Sequence, residues 1–325
     1  MKKRVLLKGT AAAVAALGML GAGTASAQSD WPKAKPVTIV VGFAAGAFTD
    51  AIARVVAQKL GETTGGTFVV DNKPGAGGNI ATGQVKRASP DGYTILVHSV
   101  AYAVNPSLYP NAGYDPLKDF VPLALGPRTP NIITVNPNTP AKDLKELIDL
   151  ARKEKLSYAS SGIGTTTHLS VERLKMAAKV DITHVPYQPA QAINAVLAGH
   201  TQMSSTSMPP AVPQIKAGKL RAIAVTSAKR SALLPDVPSV TEFGYKDFDD
   251  YTWVGFFMPA GTPQALVDRI NTEINKAMEL PDSKEKFVSL GMESTRNTSA
   301  EFGSFLKDEV GKWASVVKVT GAKVE

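Results

Sequence analysis

The chain has 325 residues, of which 44% are hydrophobic and 20% are charged, a composition typical of a globular protein. It has no cysteine, which excludes disulfides, thiolate metal sites, iron–sulfur clusters, a cysteine nucleophile and a lipid-modified cysteine. The formal charge is +8, but removing the four basic residues among the first eight leaves 32 basic against 28 acidic residues, a net charge of +4 that is too weak and too dispersed to indicate nucleic acid as a partner.

Residues 1–27 have the pattern of a cleaved export signal. Met1–Lys8 carries four positive charges, Gly9–Gly23 is apolar, and Ala25–Ala27 has the small-x-small sequence of a signal peptidase site. The alternative is an uncleaved membrane anchor, which is disfavoured because a membrane span needs about 20 apolar residues. We therefore expect general secretion into the bacterial periplasm, where the mature chain begins at Gln28.

The rest of the chain alternates between predicted strands and helices. The strands are predicted at residues 37–41, 67–70, 93–97, 121–126, 131–135, 156–159, 182–185, 201–206, 220–226 and 251–257. The first helix follows the loop 43–48 with Thr49 or Asp50 as its N-cap, and a short helix ends near residue 88. Further helices are predicted at 141–154, 165–178, 189–198, 209–217, 264–279, 282–290 and 300–320. Two of these are expected to begin at a Thr-Pro pair, Thr139-Pro140 and Thr262-Pro263.

This alternation predicts an α/β fold with mainly parallel sheets, arranged as two doubly wound lobes with a ligand cleft between them. A (β/α)₈ barrel is the alternative, but the strand spacing is uneven. The predicted strands 121–126 and 131–135 lie almost back to back, which indicates a chain crossing between two lobes. A second crossing is expected near residues 245–255. The lobes are therefore predicted as 28–130 plus 250–325 and as 131–249.

Ligands of open α/β sheets bind at the carboxyl ends of strands, beside helix N-termini that favour anions. The loop Gly42–Asp50 offers backbone amides and the ring of Phe48, although it could equally be an ordinary tight turn. The loop Ser160–His168 has five hydroxyls and two glycines before a helix, as in an anion site or in a well-capped helix. The Gly-rich loop Asn72–Asn79 lacks the ending of a nucleotide P-loop and is expected to be a flexible connection.

Enzyme chemistry finds little support in the sequence. It contains no Gly-x-Ser-x-Gly, no His-x-x-x-His and no Gly-x-Gly-x-x-Gly after a strand, so we expect no catalytic residues, no metal and no cofactor. Arg128 lies in the predicted crossing segment, where it could bind a carboxylate in a bidentate way or form an ordinary salt bridge. Tyr102 and Tyr187 could line the cleft or simply pack.

Several segments, in this order, resemble the Bug-type periplasmic solute-binding proteins of tripartite tricarboxylate transporters over essentially the whole chain. They are Trp31-Pro32, Gly42–Asp50, Asp71–Asn79, Ser89–Thr94, Asn105–Tyr109, His184–Tyr187, Ala217–Ala222, Leu234–Val240 and Pro259–Pro263. The resemblance implies a fold like that of type II periplasmic binding proteins, in which two lobes close over one small ligand. It also implies that the ligand carboxylate is held, partly through waters, between the loops Phe43–Asp50 and Ser160–His168.

The expected function is therefore the capture of an organic carboxylate and its delivery to the membrane subunits of such a transporter, by a monomer. A sensor that signals to a membrane kinase is the alternative, and a periplasmic hydrolase is a further one. The expected ligand-binding residues are Phe43, Ala44, Ala47, Phe48, Thr49, Asp50, Ser99, Tyr102, Arg128, Ser161, Gly164, Thr165, Thr166, His168, Tyr187 and Ser205.

Two departures from the family pattern suggest which carboxylate is bound. The bulky Phe48 stands where the family commonly has a small residue, and Ser204–Ser207 contains no aspartate to meet an ammonium group. We therefore expect a ligand without an ammonium group, and the hypothesis is an aromatic mono- or dicarboxylate such as terephthalate. Phe48 would stack on its ring, and Arg128 would meet a second carboxylate.

Overall fold

The computed structural model describes residues 30–187 and 191–324. The predicted export signal and its cleavage point lie outside the described residues, as do the first two residues of the helix predicted at 189–198. Within the described ranges, no helix is both long and apolar enough to cross a membrane.

Strands and helices alternate through most of the described chain. The strands are β1 (Val37–Val41), β2 (Phe68–Asn72), β3 (Thr94–Ser99), β4 (Phe120–Val135), β5 (Leu156–Ser160), β6 (Ile182–Pro186), β7 (Met203–Ser207), β8 (Arg221–Val225) and β9 (Tyr251–Pro259). The helices are α1 (Phe48–Thr64), α2 (Asn79–Lys86), α3 (Ala101–Leu108), α4 (Leu144–Lys153), α5 (Thr166–Ala178), α6 (Gln191–Leu197), α7 (Met208–Lys216), α8 (Gln264–Glu279), α9 (Pro281–Ser289) and α10 (Ser299–Thr320). Short 3₁₀ turns lie at Ala76–Gly78 and Val240–Phe243.

The strands form one connected mixed sheet in the order β2-β1-β3-β9-β4-β7-β5-β6, and β8 also pairs with β4. The outer pairs β1–β2, β1–β3, β5–β6 and β5–β7 are parallel. All pairs made by β4 and β9 are antiparallel. The α/β class is confirmed, but the prediction of mainly parallel sheets was wrong at the centre, because β4 and β9 run against their neighbours.

The strand β4 links two lobes. It pairs with β9 from Phe120 to Pro130 and with β7 and β8 beyond that point. The prediction of two separate strands here was wrong, because the segment 126–130 stays extended despite its glycine and two prolines. Arg128 exchanges two backbone hydrogen bonds with Glu293, of 2.8 and 2.9 Å, which holds this segment in place. The predicted lobe boundaries at 130/131 and 249/250 stay a prediction.

In each lobe, apolar cores cover both faces of that lobe's part of the sheet. In β1, Val37, Ile39 and Val41 belong to one core and Val40 to another, and all four are fully buried. A strand covered on both faces in this way is expected to be apolar throughout, which is why the sequence of β1 shows no polar alternation. In the second lobe, Ile133 and Ile132 likewise face different cores.

Two predicted helix starts and one predicted helix cap were wrong. Helix α1 begins at Phe48, with Ala47 as N-cap, because the carboxylate of Asp50 turns back to accept a hydrogen bond from Gly46. Helix α4 begins at Leu144 rather than at Thr139-Pro140, since Asp143 caps the amide of Glu146 at 2.8 Å. At α8, the hydroxyl of Thr262 donates to the carbonyl of Pro259 and does not cap the helix.

Helix α3 was not predicted, and it contains Pro106. A proline inside a helix leaves the carbonyl four residues earlier without its usual donor. Here that carbonyl belongs to Tyr102, and it accepts a hydrogen bond of 2.8 Å from the hydroxyl of Tyr114. A tertiary contact therefore compensates for the proline, which local sequence could not reveal.

Candidate functional site

The loop Phe43–Ala47 lies at the carboxyl end of β1 and leads into α1. The carboxylate of Asp50 accepts hydrogen bonds from the Gly46 amide at 2.8 Å and from Asn72 Nδ2 and Arg54 Nε, both at 2.9 Å. Asn72 also donates to the carbonyl of Phe43 at 2.9 Å. The loop is thus fixed at both ends by polar side chains from α1 and β2.

Asp50 was predicted to bind ligand, but its contacts give it a structural role. Its side chain is buried, and burial raises its pKa; the hydrogen bonds from Arg54, Gly46 and Asn72 together outweigh that effect, and the net pKa lies below the usual range. Asp50 is therefore a charged carboxylate that is fully occupied in holding the loop. Like Asp50, Thr49 is buried in the first turn of α1.

The N-terminus of α1 lacks a side-chain cap among the described residues. The first N–H groups of an α-helix have no acceptor within the helix, and the helix dipole places partial positive charge there. Ala44 and Gly46 are exposed in front of it, and Ala47 is half-buried. These features fit the prediction of a carboxylate bound by backbone amides, which stays a prediction.

The two aromatic residues of the first loop are half-buried and pack against the core of the first lobe. Phe43 meets the ring of His98 edge-on, with 5.3 Å between ring centroids. Phe48 packs on the same core and leaves only part of its side chain accessible. The prediction that Phe48 stacks on a ligand ring therefore depends on that accessible part.

The second loop uses most of its hydroxyls internally. Thr165 is the N-cap of α5, where it accepts from the amide of His168 at 3.3 Å and donates to the carbonyl of Gly162 at 2.7 Å. Thr167 accepts from the amide of Ser161 at 3.0 Å. The alternative of a well-capped helix is thus part of the structure. The amides of Ser161, Gly162, Gly164 and Thr165 also donate within the protein, so the amide of Ile163 is what this loop leaves for a ligand, with Ser161 half-buried.

A serine–histidine contact lies behind the second loop. Ser160 Oγ is 2.7 Å from His184 Nε2, a distance that also occurs in hydrolases. However, Ser160 is fully buried, and its Oγ accepts from the amide of Gly162 at 3.2 Å. Among residues 30–187 and 191–324, no carboxylate is hydrogen-bonded to His184. This contact therefore orders the loop and does not form a nucleophile.

The second loop also meets the first lobe directly. A Cβ at Gly164 would lie 2.2 Å from Leu108 Cδ2, and the φ of Gly164 is +76°, so only glycine fits here. Thr166 Oγ1 lies 2.6 Å from Thr252 Oγ1 on β9, and Thr252 donates to Asn131 Oδ1 on β4 at 3.0 Å. The N-terminus of α5 is thus fixed to the two crossing strands.

Two predicted ligand residues belong to the interior. Tyr102 is fully buried, stacks on Phe257 with 4.0 Å between centroids, and donates to the carbonyl of Pro116 at 3.0 Å. Its prediction as a ligand residue was wrong, because α3 directs it into an aromatic core. Ser205 is also fully buried, and its Oγ has no hydrogen-bond partner in the described part of the chain.

Arg128 forms the salt bridge that the sequence had left open as an alternative. Its Nε lies 3.2 Å from Glu293 Oε1, and its guanidinium stacks 4.0 Å from the ring centroid of Tyr251. It borders a cavity of about 400 Å³ that also includes Lys229 and Arg230 and none of the residues of the two loops. Arg128 is therefore engaged by the protein itself, and its prediction as a ligand residue loses its support.

The remaining predicted residues lie at strand ends. Ser99 is half-buried at the end of β3, where its Oγ accepts from the amide of Ala101 at 3.2 Å. Tyr187 is half-buried after β6, and its amide donates to the carbonyl of Ser160 at 3.1 Å. Sequence reasoning missed the supporting residues Asn72, Asn131, His184 and Thr252, whose partners are distant in sequence. No group of His, Asp and Glu in the described ranges could hold a metal ion.

Comparisons with known proteins agree with this architecture. The sequence model of TctC, the tripartite tricarboxylate transporter family receptor, matches residues 52–322. Protein BugT of Bordetella pertussis is 33% identical over 306 residues, which cover 93% of this chain and 94% of BugT.

Two solved structures resemble the chain along their entire length. Rpa4515 of R. palustris with adipate is 33% identical, with a TM-score of 0.79, over 91% of this chain and 100% of that one. MatC (Rpa3494) from Rhodopseudomonas palustris with bound malate is 31% identical, with a TM-score of 0.75, over 88% of this chain and 100% of that one.

The resemblance found in the sequence is confirmed by these matches, and so is the two-lobed α/β fold. The expectation that the protein is not an enzyme is confirmed as well, because the family consists of transport receptors. The chain belongs to the TctC family of tripartite tricarboxylate transporter receptors.

Proposed function

We propose that this protein captures a small organic dicarboxylate in the periplasm and delivers it to the membrane subunits of a tripartite tricarboxylate transporter. The observation that carries the proposal is the N-terminus of α1 beside the loop Phe43–Ala47, which no side chain in the described ranges caps. Relatives of the same fold contain adipate and malate. The protein acts as a monomer after removal of residues 1–27, and it needs no cofactor.

The ligand lies between two lobes, 28–130 plus 250–325 and 131–249, which close around β4. One carboxylate accepts hydrogen bonds from the amides of the first turn of α1. The amide of Ile163, the one amide of Ser161–Thr165 without an acceptor in the described part of the chain, completes the site. Each charge-assisted hydrogen bond contributes about 1.5–3 kcal/mol. Three or four of them supply about 4.5–12 kcal/mol, a range that includes the about 8 kcal/mol of a micromolar dissociation constant.

Aliphatic dicarboxylates are the first candidates for the ligand. The salt bridge from Arg128 to Glu293 and the packing of Phe48 on the core weaken the case for an aromatic diacid such as terephthalate. That finer prediction stays a hypothesis. An amino acid is disfavoured as the ligand, because its ammonium group would need a carboxylate partner. Asp50, the carboxylate at the first loop, already accepts hydrogen bonds from Gly46, Arg54 and Asn72.

The test is isothermal titration of the mature chain with adipate, malate, terephthalate and glutamate. We expect micromolar binding of at least one aliphatic diacid and no heat from glutamate. Binding of terephthalate alone would establish the aromatic hypothesis, whereas binding of glutamate alone would refute the proposed ligand class. Deletion of the genes for the transporter's membrane subunits then distinguishes transport from the alternative role as a sensor. In the transport case, uptake of the ligand stops; in the sensor case, the response to the ligand continues.

A further inference from the structure

Two histidines form a stacked pair directly behind the second loop. The rings of His168, in the first turn of α5, and His184, on β6, lie with centroids 3.9 Å apart and planes 17° apart. Tyr158 of β5 also packs against His184, with centroids 4.8 Å apart and planes 30° apart, and its centroid lies 6.5 Å from that of His168. Three rings from three elements thus form a cluster beside the residues Ser160–Thr165.

Each imidazole contacts the loop through a ring nitrogen. The amide of Gly164 donates to His168 Nδ1 at 3.1 Å, and Ser160 Oγ lies 2.7 Å from His184 Nε2. An N–H that donates to Nδ1 requires a lone pair there, so His168 is neutral and carries its proton on Nε2. That nitrogen faces Glu172 Oε1 at 4.0 Å.

The surroundings keep the pair neutral. Burial, with a smaller effect of Lys175, lowers the pKa of His168 to about 4. Burial is also the main reason that the pKa of His184 falls to about 3; His168 and Lys175 act in the same direction, and Glu172 opposes them. Three further polar groups face the pair: the carboxylate of Glu172, the hydroxyl of Tyr158 and the ammonium of Lys175. The carboxylate accepts from the hydroxyl at 2.7 Å and from the ammonium at 2.9 Å. A protonated His168 could not accept the Gly164 amide, and the loop would lose that contact.

The loop needs such fixing because its own backbone is permissive. Gly162 and Gly164 have φ values of +117° and +76°, and Ile163 between them is 45% exposed. Two glycines in a short loop leave the direction of the neighbouring amides undetermined unless something anchors them. A loop that is already ordered binds an anion more tightly than a flexible one, because no free energy of binding is lost in ordering it.

We propose that His168 and His184 are positioning residues of the ligand site: their stacked neutral rings anchor Gly164 and Ser160 and so orient the remaining amide between them, that of Ile163, toward the ligand. This inference rests on the proposed function, because it assumes that the loop binds the carboxylate. It assigns the two histidines neither direct ligand contact nor catalysis.

The first test is a measurement on the wild-type protein. With ¹⁵N-labelled glycine and histidine, we expect a scalar coupling across the hydrogen bond from the Gly164 amide to His168 Nδ1, and ring nitrogen shifts of the tautomer protonated on Nε2. A coupling that is absent, together with a proton on Nδ1 at neutral pH, would overturn the inference without any variant.

The second test uses paired variants with adipate as the probe. Asn at position 168 offers an amide oxygen near the place of Nδ1, whereas Leu offers no acceptor. We expect His168→Leu to weaken adipate binding at least tenfold and His168→Asn to weaken it less than threefold. His200→Asn, at an exposed histidine, is the control and leaves affinity unchanged. Equal losses for both His168 variants contradict the positioning role.

The two proposals fail in different ways. If the wild-type protein binds neither adipate nor malate, the proposed ligand class fails. The histidine inference is then decided by the coupling and by whether the Gly162–Thr165 amide resonances shift in His168→Leu and keep their positions in His168→Asn. If the wild-type protein binds adipate and His168→Leu binds it equally well, the proposed function stands and the positioning role is refuted.

Discussion

Thr166 and Thr252 join the two lobes through a hydroxyl–hydroxyl contact of 2.6 Å. Thr166 opens α5, the helix behind the second loop, and Thr252 belongs to the crossing strand β9. Thr252 also donates to Asn131 on the other crossing strand, β4. The start of α5, which follows the second loop, is therefore held to the two crossing strands by a short chain of side-chain hydrogen bonds.

Replacing Thr252 with Val tests this connection. The change keeps the shape but removes the hydroxyl that Thr166 contacts at 2.6 Å and that donates to Asn131 Oδ1, so these two buried groups keep only their own long contact of 3.5 Å. We expect the free energy of unfolding to fall by about 1–3 kcal/mol, as measured by urea denaturation. Thr272→Val is the matched control, because this half-buried hydroxyl of α8 donates only to the carbonyl of Asp268 on its own helix; it should change stability by less than about 0.5 kcal/mol.

Asp50→Asn tests the support of the first loop. The substitution removes the charge that pairs with Arg54 and replaces one acceptor oxygen by a donor, which cannot satisfy both the Gly46 amide and Asn72. We expect a loss of roughly 1–3 kcal/mol in stability and weaker binding of dicarboxylates by titration. Asp268→Asn, at an exposed carboxylate of α8, serves as the control. Unchanged stability and affinity in Asp50→Asn would show that the loop does not depend on this carboxylate.

Arg128→Gln distinguishes a salt bridge from a ligand contact. Because Arg128 pairs with the exposed Glu293 and stacks on Tyr251, its removal should cost about 1 kcal/mol or less in stability. The affinity for adipate should stay within twofold of the wild type. A loss of tenfold or more in affinity for any diacid would restore Arg128 as a ligand residue, as the sequence had suggested.

The pH dependence of stability follows from His98. Burial lowers its pKa in the folded state to about 4, below the ordinary value of 6.5, so the unfolded chain takes up the proton first as the pH falls. The contribution of His98 is complete above about pH 6.5 and is lost progressively down to about pH 4. His168 and His184 act in the same direction.

Urea denaturation at pH 7 and at about pH 4.5 measures this effect. We expect His98→Leu to reduce the loss of stability between the two pH values by roughly 2 kcal/mol, whatever its effect on absolute stability. His200→Leu, at an exposed histidine, should leave the difference unchanged. An identical pH difference in His98→Leu and the wild type would show that His98 is not the group responsible.

Local sequence patterns predicted most of the helices and strands and the positions of both loops at strand ends. Val37–Val41 is apolar throughout because both faces are buried, and the helix predicted at 165–178 is found at Thr166–Ala178. The patterns failed where a partner distant in sequence decides the structure. The segment 126–130 resembles a loop, yet pairing with Glu293 and β9 keeps it extended.

The same limit applies to the candidate site. The composition of each loop indicated an anion site, but not which side chains would be used by the protein itself. Asp50 is occupied by Arg54, Gly46 and Asn72, and the partner of Arg128 is a residue 165 positions later in the chain, Glu293. His184 carried no local signal, because its role arises only when β6 places it against His168.

The central claim is that a carboxylate is bound between the first turn of α1 and the second loop. A crystal structure of the mature chain with adipate tests it most directly. We predict a carboxylate oxygen within about 3.2 Å of the amide of Phe48 or Thr49, with the ligand in contact with the loop Ser161–Thr165. A ligand seated instead in the cavity beside Arg128, Lys229 and Arg230, with both loops empty, would contradict the account.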